Sequence, residues 1–205
     1  QEMNHNTGHI SSFNISLNKD ATAKYNSFEF GGGFVRNDIH THFDEPNGDC
    51  EINSLFIPNG KQHIDISTMV HHKNPLCSSR QLVKGILGGN STAVFRGLAN
   101  VYKEAGKTDA QQNNKNLILS PSARVNSIPQ LEIYEDDVKC SHGSTTGQIE
   151  EEALFYLQSR GINRTDAMEL MVRGFANEVV DKVENQDMKE YIQNSLIQKM
   201  EGMIQ

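Results

Sequence analysis

Between Gly8 and about Gln148 the chain alternates apolar and polar positions in short stretches. A period of two is the mark of half-buried strands. The pattern predicts strands over 9–17, 21–30, 34–42, 51–57, 62–71, 79–87, 93–102, 112–119, 124–128 and 131–140. Turn formers separate most of them: Asn18-Lys-Asp20, Gly31-Gly-Gly33, Pro46-Asn-Gly48, Pro58-Asn-Gly60, Gly88-Gly-Asn90 and Ser120-Pro121. Many short strands in series fit either an antiparallel sandwich or barrel, or a β-solenoid in which each rung rests on the next. Asn and Ser within and beside strands (Asn14, Asn53, Asn100, Asn113, Asn114, Asn116) favour the solenoid, where polar ladders use them. Two Asn-Gly pairs, Asn47-Gly48 and Asn59-Gly60, suit hairpins, so periodicity alone leaves the choice open.

From about residue 149 the period changes to helical. Ile149, Ala153, Leu154 and Leu157 share one face behind an acidic first turn, Glu150 to Glu152, and Gly161 follows as a stop signal. Asn163 or Thr165 caps a second helix with Ala167, Leu170, Met171, Phe175 and Val179 as its stripe. A third helix is expected over 187–203, with Met188, Ile192, Leu196, Met200 and Met203 at spacings of three and four. The domain expectation is thus a β core over 1–148 and a helical domain over 149–205.

Composition narrows the function. The 205 residues carry a net charge of −7, and no Lys/Arg cluster interrupts it, which argues against nucleic acid. No run is apolar enough to span a membrane and no signal-peptide pattern is present. Cys50, Cys77 and Cys140 are odd in number and widely spaced, so reduced thiols in a cytoplasm are expected rather than a disulfide framework. The opening run, Gln1 to Ile10, enters a strand pattern directly, as expected of a piece cut from a longer protein on its N-terminal side.

The most chemical stretch is Pro129 to Gly143. It reads as a half-buried strand, Leu131 and Ile133 on one face and Glu132 and Tyr134 on the other, ending in Cys140 and His142. Residues i and i+2 of a strand share a face, so a thiolate and an imidazole would stand side by side as soft-metal ligands or as an activated nucleophile. The plain alternative is a core cysteine near a strand end. His40 and His42 repeat the spacing beside Asp38 and Asp44, as a two-histidine metal half-site or an exposed polar rung. His71-His72 with Cys77 is split by Asn74-Pro75. Gly31-Gly-Gly33 lacks the Lys-Ser/Thr of a phosphate loop.

Three runs together carry a resemblance: Lys107 to Leu119, Pro129 to Gly147, and Glu152 to Ile162. With His71-His72…Cys77-Ser-Ser-Arg-Gln81 and Ala93 to Leu98, they closely resemble the SufB/SufD family of iron–sulfur cluster assembly proteins. The form Tyr134-Glu-Asp-Asp-Val-Lys-Cys-Ser-His-Gly143 resembles the SufD branch. The resemblance implies a right-handed parallel β-helix followed by a C-terminal α-helical domain. It implies a non-catalytic scaffold subunit, not an enzyme, that pairs with a SufB-like paralogue and docks a SufC-like ATPase. Cys140 and His142 would then be interface residues holding a transient iron–sulfur cluster together with partner ligands, with none expected in the chain alone. Glu152, Phe155, Tyr156, Arg160, Gly161 and Ile162 would face the ATPase. Alone, the chain would pair with itself through the same sheet edge. Two other readings stand beside this one: an architectural partner of the ATPase with an inert Cys140, and a carbohydrate-active β-helix enzyme, for which no cleft of paired acids is visible.

Overall fold

The computed structural model describes residues 3, 4 and 6–204; Gln1 and His5, from the opening run that suggested a longer parent, lie outside the described residues. Ten strands are followed by three helices: β1 Gly8–Leu17, β2 Thr22–Glu29, β3 Phe34–Phe43, β4 Asp49–Phe56, β5 His63–His72, β6 Ser78–Leu87, β7 Thr92–Val101, β8 Asp109–Ile118, β9 Arg124–Ile133, β10 Lys139–Gly147, α1 Glu151–Ser159, α2 Arg164–Val180 and α3 Gln186–Glu201. Odd strands form one sheet in the order β1-β3-β5-β7-β9, and even strands the other in the order β10-β8-β6-β4-β2. Each odd–even pair is one coil of a parallel β-solenoid with five coils. Pairing is parallel throughout, which excludes the antiparallel sandwich.

Register explains the alternation. The column Leu17–Phe43–His72–Val101–Ile133 runs up the inside of the odd sheet. Leu17, Phe43, Ile39, Ile52, Phe56 and Phe95 fill the lumen core with their side chains out of water. Stacked turns close the coils: Gly60 and Gly89 have φ of +63° and +58°, and a Cβ on Gly89 would meet the Gly60 nitrogen at 2.6 Å. Only glycine fits such an approach in the left-handed region.

Polar side chains share the lumen with this apolar core in the third and fourth coils. His72, wholly buried, hydrogen-bonds Ser79 Oγ through Nε2 at 2.9 Å, and its ring stacks on Phe43 at 4.6 Å. Thr68 donates to Gln81 Oε1 at 2.6 Å, and Asn114 donates to the Val83 carbonyl at 3.0 Å. Burial first, then the neighbouring His71, holds the His72 imidazole down at about 4.

The outer face of the even sheet carries apolar side chains, which α2 and α3 cover. Leu55, Ile57 and Ile86 pack there against Val172, Ala176, Val179, Leu196 and Met200. The methionine-bearing stripe of α3 therefore completes a core at Met200, while Met188 stays exposed. Asn163 caps α2 and Asn185 caps α3 through their side chains. One cation lies under this layer. Lys84, its side chain 3% exposed, donates to the Phe175 carbonyl at 2.7 Å and to Glu178, and sits 4.0 Å from the Phe175 ring centre. Burial outweighs these contacts and lowers its pKa, while the bond from Lys84 keeps Glu178 below the usual carboxylate range.

One expected strand boundary is corrected. The sequence pattern runs a strand from Leu131 through Cys140 after a separate 124–128 strand. In the structure β9 is continuous through Pro129 to Ile133, and residues 134–138 turn. Glu135 makes that turn: its carboxylate accepts the backbone N–H of Glu104 at 2.9 Å and of Asp136 at 3.1 Å. Pro129 is tolerated because β9 is an edge strand.

Two outcomes test this packing. His72 has a folded pKa near 4 against 6.5 for the free group, so its stability contribution is complete above pH 6.5 and is lost as pH falls toward 4. The loss amounts to about 3 kcal/mol at 1.36 kcal/mol per tenfold change in proton affinity, read as a slope in denaturant stability that His72→Gln flattens. Glu178→Ala leaves the buried Lys84 ammonium without its carboxylate and costs about 1–3 kcal/mol; Lys84→Met costs less in the same urea titration.

Candidate functional site

Cys140 and His142 lie at the start of β10, the uncovered edge strand of the even sheet. The turn at 134–138 puts them on the sheet opposite Leu131, rather than at the end of its strand. Their neighbours in register give their direction. Cys140 tops the column Ala23–Cys50–Ser79–Ala110, and His142 tops Tyr25–Ile52–Gln81–Gln112. Both columns face the lumen, as the buried Cys50, Ile52, Ser79 and Gln112 demonstrate. The thiol and the imidazole therefore point inward on the last coil, where no further coil covers them. Ser144, next in the row, bonds the hydroxyl of Ser127 across the lumen at 2.8 Å, tying β10 to β9.

Half-buried Cys140 has its thiol pushed up by burial, against a backbone hydrogen bond from Ala110 that lowers it. The resting group is a thiol, so a metal or base must take its proton before it ligates. Acidic residues rim this end. A cleft of about 400 Å³ at the turn before β10 is lined by Asp109, Asp136, Asp137, Lys107 and Lys139. Lys107 is paired with Asp137 at 2.6 Å. Among the described residues no group of three or more His, Cys, Asp or Glu side chains is arranged to hold a metal ion.

His40 and His42 stand on the outer face of the odd sheet, away from the lumen. His42 stacks on His71 with ring centres 4.8 Å apart, and the Tyr102 hydroxyl lies 3.2 Å from His71 Nδ1. Burial lowers the pKa of both stacked imidazoles. Cys50 and Cys77 are buried core thiols.

The residues expected to face an ATPase gather on α1 and the turn after it. Glu152 is exposed, Phe155 is 72% exposed and Tyr156 58%. Arg160 lies 5.3 Å from the Tyr156 ring centre. Gly161 turns the chain at φ +87°, and Ile162 is half-buried behind it. Leu170 of α2 adds a further exposed apolar side chain. Large apolar groups are thus left uncovered on both helices of this pair. The sequence pattern shows neither the Ser127–Ser144 clasp, which joins the two strands of one coil, nor the polar columns beneath the pair, whose members lie a coil apart.

Residues 1–175 match the family model described as SUF system FeS cluster assembly, SufBD core domain. The chain belongs to the SufBD family. It is similar to the iron–sulfur cluster assembly protein SufD of Escherichia coli, 41% identical over 194 residues, covering 95% of this chain and 46% of that protein. It is also similar to SufBD family proteins of Mycobacterium leprae, 37% identical over 85% of this chain and 47% of the relative, and of Mycobacterium tuberculosis, 33% identical over 96% and 51%. This SufBD chain thus spans about half the length of the relatives it matches. No helix among its described residues is long and apolar enough to cross a membrane.

The thiol environments predict selective labelling of this SufBD chain. In the native protein iodoacetamide modifies Cys140 first, at a rate that still climbs as pH passes 9. Burial pushes Cys50 up to about 11 and leaves it unlabelled until the protein unfolds. Mass spectrometry of tryptic peptides reads both outcomes.

Proposed function

We propose that the chain is the scaffold part of a SufD-type subunit in iron–sulfur cluster assembly. In this reading its open coil pairs with a SufB-type protein, and α1–α2 docks a SufC-type ATPase. The observation that carries the proposal is the inward-facing Cys140–His142 pair on an uncovered terminal coil. The unpaired backbone groups of β9 and β10 are a template for a partner's strands. A partner coil added there would close the lumen over both side chains and bring its own ligands to face them.

The chemistry agrees with a transient product. Thiolate and imidazole are good iron ligands, but one of each is half a ligand set. The cluster is cargo, built between subunits and released when they part. Nothing in this role requires a nucleophile or acid–base pair, which favours a scaffold over an enzyme. Motion reaches the site through packing: α2 rests on β4 and β6, whose inner faces carry the columns beneath Cys140 and His142.

The test is co-expression of the full-length parent with its SufB and SufC partners, followed by iron and sulfide assay of the purified complex. Cys140→Ala and His142→Ala should each cut cluster content severalfold while the complex stays intact. Unchanged cluster content in an intact complex would leave only the architectural role. Phe155→Glu with Tyr156→Ala should release the ATPase but leave the SufB-type pairing in place.

A further inference from the structure

One buried charge has no counterpart in the chemistry above. Glu29, the last residue of β2, is 2% exposed. Its Oε1 accepts a hydrogen bond from Asn37 Nδ2, while its Oε2 is buried with no hydrogen-bond partner. An unpaired carboxylate oxygen out of water is among the costliest groups a fold can carry. It lies far along the solenoid from Cys140, in the first coil. Lys199, whose neighbouring cleft shares Phe30 and Ser195 with this one, donates to Gln62 Oε1 at 2.9 Å instead.

Glu29 forms part of the wall of a cleft of about 390 Å³ between the first coil and α3, with Phe13, Tyr25, Phe30, Met188 and Tyr191 around it. Phe13 and Tyr25 hold each other at a ring-centre distance of 5.2 Å. Tyr191 and Met188 are more than half exposed, so the cleft is open on the α3 side. Ring faces carry partial negative charge and attract cations. A carboxylate behind them gives a cation a strong, charge-assisted bond. An anion would be repelled by Glu29, and an apolar occupant would leave Oε2 unpaired. Burial, then the Glu29 charge, pushes the Tyr25 phenol up to about 12, so it remains a neutral wall.

We propose that this cleft binds an organic cation, an ammonium or guanidinium group on an aliphatic stem, whose N–H donates to Glu29 Oε2. Two sources present that chemistry. One is a Lys or Arg side chain from polypeptide beyond these 205 residues, laid along the edges of β1 and β2, which carry no neighbouring strand among the described residues. The chain spans about half its relatives, so such polypeptide exists in them. The other is a free amine. The site stands independently of the cluster-assembly reading.

Butylguanidinium chloride titrated into the 205-residue chain tests the chemistry, with sodium butyrate as the anionic control. Saturable NMR shifts at the Tyr25 and Tyr191 rings and the Met188 methyl are expected. Glu29→Gln, nearly isosteric, should weaken binding roughly tenfold, and Tyr191→Ala should weaken it as well, with the rest of each spectrum unchanged. No saturable shift, equal binding to Glu29→Gln, or equal binding of butyrate overturns the proposal. The structure of the full-length parent separates the sources. A Lys or Arg nitrogen at Glu29 Oε2, with the probe excluded, assigns the cation to the polypeptide. An open cleft that still binds the probe assigns it to a free amine. Apolar side chains closed over Oε2 overturn both.

Discussion

In-register parallel stacking is the constraint from which the rest of this molecule follows. Each strand of a coil has its backbone groups satisfied only by the coils before and after it. The same stacking builds the lumen core, because each inward residue needs a residue above and below it. Five coils therefore make a stable interior and two unfinished ends. An end is not a defect of packing that side chains can repair. It presents two edge strands, a ring of inward side chains and part of the lumen to whatever adds the next coil. Cys140 and His142 sit in that ring, so the property that stabilises the fold also makes their surroundings incomplete.

The outer surface divides by the same logic. The odd sheet faces outward with ion pairs such as Arg36–Asp65 and Arg96–Asp65, and needs no cover. The even sheet exposes Leu55 and Ile86 outward and must be covered, which α2 and α3 do. Lys84 within that layer is a specific contact in an otherwise apolar interface, held by Glu178, the Phe175 carbonyl and the Phe175 ring. Apolar packing alone would let α2 slide; a buried ammonium with placed acceptors fixes its position. α2 is thus fastened to the strands whose other face carries the columns beneath Cys140 and His142.

The fold class was legible because strand periodicity, the polar ladders and the switch to helical period are local signals, and the family resemblance chose between solenoid and sandwich. Most strand limits fall within a few residues of those expected. The 124–140 segment was misread for a physical reason. Leu131 and Ile133 alternate with Glu132 and Tyr134 up to the point where the chain turns, and the turn is held by Glu135 gripping Glu104 one coil earlier. Long-range contacts of that kind leave no local trace. The same holds for Glu29 and Asn37, or Ser127 and Ser144, whose meetings depend on register. Register was hidden because inward columns mix residue types, as in Leu17–Phe43–His72–Val101–Ile133, so the coil repeat does not show as sequence similarity.

Buried polar groups recur through the lumen, and they bear on the surroundings of Cys140 and His142. The first two coils are filled by Leu17, Ile39, Phe43, Ile52 and Phe56, with Glu29, Asn37 and Thr41 buried beside them. The third and fourth hold His72, Ser79, Gln81, Gln112, Asn114 and Asn116 beside Val83, Leu87 and Phe95, all buried. His72 Nδ1, Gln81 Nε2 and Gln112 Oε1 have no hydrogen-bond partner there. Apolar packing would have been the more stable filling at these positions, since unpaired polar groups cost free energy. A polar lumen ending at an exposed thiol and imidazole raises the local dielectric and leaves bonding capacity near the open coil. The backbone hydrogen bond at Ala110, in the coil below, moderates the rise in the thiol pKa that burial imposes on Cys140.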